Sequence, residues 1–189
     1  MKTNILKGIG ATVIILTALA FTKPMEKEIK IKESSIIWVG EKITGSHTGT
    51  IQLKEGNLLM EGNQLIGGSF VIDMTTINVT DLTGENKGKL EGHLKSDDFF
   101  GVANFPTATL IIKNANKTTD GYYINAEITI KGKTEPIAFD LKLEANTATT
   151  SLKIDRTKFG VRYGSGSFFD SLGDNTIYDN FDLNVSLKF

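Results

Sequence analysis

The chain has 189 residues, 40% of them apolar, with 21 Lys and Arg against 22 Asp and Glu and no Cys. That length suits one domain. A formal charge of −1 offers no electrostatic footprint for nucleic acid or an anionic membrane surface, and the absence of Cys removes disulfides and thiolate chemistry.

Residues 1–20 read as an export signal. Lys2 and Lys7 supply a positive start, an apolar run covers Ile9 to Phe21, and Ala18-Leu19-Ala20 offers a small-x-small cleavage site. Cleavage after Ala20 would leave a mature domain over 21–189 in the periplasm or outside the cell. It would remove two Lys and no acidic residue, so the charge of −1 becomes −3. An uncleaved membrane anchor is the alternative, but the run is short of a span of about 20 residues. No stable membrane insertion is expected of the mature domain.

Residues 22–33 form a lead-in or a first edge strand. Strands are expected near 36–40, 46–54, 57–61 and 65–73. Asp81 to Ser96 breaks that pattern: Leu90 and Leu94 stand four apart, as do His93 and Asp97, which suits a short helix with an apolar and a polar stripe near 81–98. "DDFFGVANFP" is expected to return the chain to an extended form before Pro106. Strands follow near 107–113 and 122–130, then a hairpin turn at Lys131-Gly132-Lys133-Thr134, and strands near 137–143 and 147–155. The last run is the clearest. Phe181, Leu183, Val185, Leu187 and Phe189 alternate with polar residues, the mark of a strand with one buried face. Repeated strands at short spacing mean an antiparallel sandwich or barrel.

Reactive chemistry is sparse. The two His, 47 and 93, lie far apart with no Cys to help, so no zinc site and no other metal or cofactor is expected. "GSGSFF" (164–169) lacks the spacing of a nucleophile elbow. "GENKGKL" (84–90) is not a phosphate loop, because Leu90 stands where Ser or Thr would bind magnesium. Asp97 and Asp98 are adjacent and read as a solvated helix-end turn. No nucleophile–base–orienter set emerges, so no catalytic residue is assigned.

Five stretches carry a resemblance: "GSHTGTIQL" (45–53), "GGSFVIDMTTI" (67–77), "GHLKSDDFFGVANFPTATL" (92–110), "ITIKGKTEPIAF" (128–139) and "IDRTKFGVRY" (154–163). In this order they resemble the YceI-like family of small secreted bacterial proteins. The resemblance implies an all-β fold, an antiparallel lipocalin-like barrel of about eight strands with the helical insertion. It also implies binding of a long isoprenoid lipid, of polyprenyl phosphate or quinone type, in the barrel interior.

In such a barrel the apolar strand faces point inward. The expected lining is Phe70, Ile72, Leu110, Ile128, Phe139 and Phe181, with Asp73, Glu127, Asp140 and Asp182 outward. Leu94, Phe99, Phe100 and Phe105 cluster at the return from the helix and are expected to close one end and touch lipid. Gly49, Gly67, Gly68 and Ala108 either leave room for a ligand or allow tight barrel corners. Arg156 either faces a polar ligand head or pairs with an acidic residue and fixes a barrel corner. The expected function is a lipid carrier or stress-related binder, not an enzyme. A barrel enzyme such as an isomerase or cyclase on a hydrophobic substrate, or a filled-barrel interaction module, are the alternatives. A homodimer is left open.

Overall fold

The fold follows from long apolar–polar alternation that has one face to bury. A computed structural model describes residues 25–189; the export signal read at 1–20 lies outside them. The strands are β1 (Glu26–Lys30), β2 (Glu33–Lys42), β3 (Gly45–Glu61), β4 (Gln64–Val79), β5 (Thr107–Lys117), β6 (Tyr122–Ile130), β7 (Lys133–Leu143), β8 (Thr147–Asp155) and β9 (Ile177–Lys188), with one helix, α1 (Gly84–Lys95), between β4 and β5. From β2 onward each strand pairs antiparallel with the next, and β9 returns to β2. This closes an eight-stranded up-and-down barrel. β1 is the extra strand. It pairs with the far half of β3, from Glu26 opposite Glu61 to Lys30 opposite Asn57.

Two local expectations need correction. The strands expected at 46–54 and 57–61 are one strand, β3. Its register with β4 shifts between Leu53 and Glu55, so a bulge lets the strand bend without ending. Gly56 makes the bend possible, because a Cβ there would lie 2.7 Å from the Phe70 ring. The return after α1 is also not extended. Residues 97–104 form successive turns. Phe99 N and Gly101 N both donate to Ser96 O, and Phe105 N donates to Gly101 O. The chain must reverse within a few residues to re-enter the barrel wall as β5.

The interior has two levels. At the end away from α1, Leu65, Ile124 and Ala148 are almost fully buried. There the Tyr122 hydroxyl accepts from Leu65 N at 3.2 Å, so the end is sealed by packing and a buried hydrogen bond. Toward α1 the core opens into a cavity. The helix buries no residue completely. It is fastened by polar ties, Val79 N to Glu91 Oε1 at 2.8 Å and Lys87 Nζ to Asn78 Oδ1 at 2.8 Å.

Candidate functional site: an apolar cavity under an aromatic cover

The inward faces of β2 to β9 enclose a cavity of about 190 Å³ whose wall is apolar almost throughout. A cavity of about 150 Å³ lined by Leu, Ile and Phe stays dry and takes up benzene. This one has the size and chemistry to hold an apolar ligand.

Phe70 and Ile72 of β4, Leu110 of β5, Ile128 of β6, Phe139 of β7 and Phe181 of β9 all lie on its wall. Asp140 is exposed, while Asp73, Glu127 and Asp182 are half-buried and outside the wall. Glu127 and Asp182 are paired with Lys113 and Lys153 at 3.1 and 2.9 Å. Leu94, Phe99 and Phe100 form the cover at the α1 end. The Phe99 and Phe100 rings meet edge to face at 4.9 Å, and Phe100 meets Phe181 at 6.2 Å, an arrangement favoured by the ring quadrupoles. Phe105 does not join them. Its ring lies over the β6–β7 turn, where a Cβ on Gly132 would come within 2.9 Å of it. The turns at 97–104 swing Phe105 to the outside of the cover.

Sequence reasoning left out the walls contributed by β2 and β3, chiefly Ile36, Trp38, Ile51 and Leu53. Ile36 and Trp38 stand two apart, but the intervening Ile37 and Val39 are apolar as well, so alternation did not mark which face of β2 points inward. Trp38 also explains one of the glycines. A Cβ on Gly49 would sit 2.3 Å from the indole and 2.0 Å from Asn78 O. Gly49 thus seats the Trp38 ring rather than leaving space for a ligand. Ala108 does face the cavity.

Arg156 is built in by its local sequence. The Asp155 carboxylate accepts from Thr157 N at 2.9 Å and Thr157 Oγ1 at 2.6 Å, capping a 3₁₀ turn over Arg156–Phe159. The turn ends at Gly160 with φ of +79°, a left-handed conformation that suits glycine. Arg156 is thereby turned inward and is 2% exposed. Its Nε donates to Tyr178 O at 3.1 Å, Nη1 to Val161 O at 2.9 Å and Nη2 to Ile177 O at 3.0 Å. Asp179 Oδ1 lies 3.6 Å from Nη2, and the guanidinium carbon sits 5.6 Å from the Phe99 centroid. Burial pulls the Arg156 pKa down, opposed by Asp179 and Asp155. Burial raises the Asp179 carboxyl, but the Ser165 and Ser167 hydroxyls and the Arg156 charge outweigh it and hold it below its ordinary value. The guanidinium is therefore held by main-chain carbonyls of the β8–β9 connection and of the first residues of β9. This is the barrel-corner arrangement.

The remaining polar groups do not converge on the cavity. Besides Arg156, the ionisable residues on its wall are Glu41 and Tyr178, both exposed. His47 Nδ1 is 2.8 Å from Asp81, and burial, which raises the Asp81 carboxyl, is outweighed by hydrogen bonds from His47 and Thr48 that hold it low. His93 sits against Phe99 and Tyr163 at 5.5 and 4.3 Å. Among the described residues no three His, Cys, Asp or Glu side chains are grouped to hold a metal.

Several solved structures share this architecture. A Burkholderia cenocepacia protein, BcnA, superposes with a TM-score of 0.63 at 19% identity, covering 82% of this chain and 94% of that one. A domain from Saccharophagus degradans, described as polyisoprenoid binding and implicated in plant cell wall breakdown, gives 0.58 at 18% identity over 84% and 95%. A YceI protein of Campylobacter jejuni gives 0.52 at 17% identity over 100% and 99%. Among curated sequences, a UPF0312 protein of Yersinia enterocolitica is 31% identical over 84 residues, which is 40% of this chain and 44% of that protein; the match spans less than half of either. The model of the YceI-like domain matches residues 27–189, the whole barrel and all of β1 but Glu26, and the chain belongs to the YceI-like family.

Proposed function

We propose that the protein binds an isoprenoid lipid with its tail in the barrel and serves as a carrier or stress-related binder. The observation that carries this reading is the apolar cavity. The polyisoprenoid-binding description of the Saccharophagus degradans domain supports it. Burial of a methylene contributes about 0.8 kcal/mol, so one five-carbon isoprene unit contributes on the order of 3 kcal/mol. A few units suffice for tight binding, and a long tail wholly buried would exceed the practical ceiling near about 20 kcal/mol. A carrier that must release its cargo therefore buries part of the tail. Because Arg156 is committed to carbonyls, the ligand head belongs outside the cavity.

Export to the periplasm or beyond fits the role, since a free isoprenoid chain does not cross water unprotected. Among the described residues no helix is long and apolar enough to cross a membrane. The reading assigns no catalytic step: of the ionisable residues on the cavity wall, Arg156 is bound to backbone carbonyls, and Glu41 and Tyr178 are exposed.

Trp38, the single tryptophan, lies on the cavity wall and serves as the reporter. Titration with geranylgeraniol, geranylgeranyl phosphate and a short-tailed ubiquinone should change its fluorescence saturably, with similar affinities for alcohol and phosphate. Native mass spectrometry of protein from its own host should show a co-purifying lipid. Unchanged Trp38 emission with all three ligands, together with lipid-free protein, would favour the filled-barrel module.

A further inference from the structure

The barrel wall is not evenly stitched. β7 pairs with β6 from Lys133 to Leu141, and β8 pairs with β9 from Thr147 to Asp155. Between themselves β7 and β8 pair only at Lys142 with Thr149 and Leu143 with Ala148. Beyond those pairs, β7 back to Lys133 and β8 on to Asp155 run without a ladder. One side-chain bond bridges the start of the gap, Thr150 Oγ1 to Asp140 O at 2.7 Å. At the α1 end the Arg156–Phe159 turn takes the place of the missing ladder. It packs against both β7 and β9 and buries Phe159, while Arg156 ties it to Ile177 and Tyr178.

The edge of β7 is made to stay unpaired. Pro136 lies in the stretch that lacks a β8 partner, where its missing N–H costs no ladder bond. Lys133, Glu135 and Pro136 are the residues that blunt an edge strand against pairing with another chain. A strand added from a partner is thus disfavoured. The inward residues on both sides of the gap, Phe139 and Leu141 on β7 and Thr150 and Leu152 on β8, belong to the cavity wall. The far end is sealed around Leu65 and Tyr122, and the α1 end is covered by the Phe99–Phe100 stack.

We propose that an isoprenoid chain enters and leaves the cavity sideways, by parting β7 from β8, with the Arg156–Phe159 turn as the fixed stop at one side. This rests on the isoprenoid reading above. The seam is the part of the wall whose opening breaks the fewest backbone hydrogen bonds, and an apolar chain slides past its inward residues without meeting a charge.

A staple tests it. The chain has no Cys, so Asp140→Cys with Ser151→Cys, two positions beyond the Lys142–Thr149 pair and both exposed, can be joined by a short bis-maleimide without touching the cavity. Asn125→Cys with Ala138→Cys, an exposed pair across the closed β6–β7 ladder, is the control. Stopped-flow quenching of Trp38 by a short-tailed ubiquinone gives both rates. Stapling the seam should slow uptake and release together by about an order of magnitude, as restraint of a gating motion does, and leave the equilibrium affinity unchanged. The control staple should leave both rates as they were. Wild-type exchange rates in the seam-stapled protein would overturn the lateral route and place the passage beside half-exposed Tyr178, where the β2–β9 register shifts. A wild type that takes up no quinone, geranylgeraniol or geranylgeranyl phosphate would remove the isoprenoid reading and the route with it.

Discussion

The two ends of the barrel are closed by different means. The far end is closed by packing, with Leu65 and Ile124 at 0% exposure and Tyr122 hydrogen-bonded across strands. The α1 end is closed by an aromatic cover, with Phe99 buried and Phe100 half-buried, and by one cation that holds backbone carbonyls. Close packing maximises dispersion and leaves no room. The aromatic cover leaves a cavity beneath it and relies on a polar latch for its geometry. Stability is therefore expected to concentrate at one end and ligand sensitivity at the other, with Arg156 as the exception that serves stability at the cavity end.

Arg156→Ala should have the largest effect. It leaves three carbonyls and the Asp179 carboxylate without their cation, and breaking a buried pair costs about 3–5 kcal/mol. Chemical denaturation should show this loss, and Arg156→Lys should recover little of it, because an ammonium cannot reproduce the planar fork. Unchanged stability with weakened binding of geranylgeranyl phosphate, but not of the alcohol, would make Arg156 a headgroup clamp after all.

Leu65→Ala should cost about 3 kcal/mol from lost burial and a residual void, with ligand affinity unaltered in the folded fraction. Phe100→Ala should do the opposite. A half-buried ring at the cover is a smaller loss to the fold, but lipid retention should fall about tenfold, equivalent to roughly 1.4 kcal/mol. If retention merely follows unfolding, Phe100 is core and the two ends do not differ in role.

Tyr122→Phe is the subtlest change to the sealed end. It removes the partner of the buried Leu65 N–H and should cost about 1 kcal/mol. At the other end pH supplies the matching probe. The Asp179 carboxyl is held below its ordinary value, so its contribution is present above the unfolded-state value of about 3.9 and is lost as pH falls through the lower folded value. Acid titration of stability should show this drop, and Asp179→Asn should make it smaller, leaving the part due to other carboxyls such as Asp81. An equal drop in Asp179→Asn would place the acid-sensitive group elsewhere.

Most strands were legible from alternation, because a strand with one wet face must alternate to bury the other, although the bulge between Leu53 and Glu55 made β3 read as two. The run from Phe181 to Phe189 and the pairing of Tyr122–Ile130 with Lys133–Leu143 needed no tertiary information. The helical break was legible for the same reason, and Phe70, Leu110, Ile128 and Phe139 could be placed inward once the barrel was assumed. Other features depended on contacts between residues distant in sequence. Nothing local in "DRTKFGVRY" shows that the Arg156 guanidinium meets the carbonyls of Ile177 and Tyr178, some twenty residues on. Phe105 looked equivalent to Phe99 and Phe100 until the turns at 97–104 sent it to Gly132. The one local hint of the β7–β8 seam was Pro136 inside a strand pattern. Whether that missing N–H faces a neighbour or an open edge is decided only when eight strands close on one another.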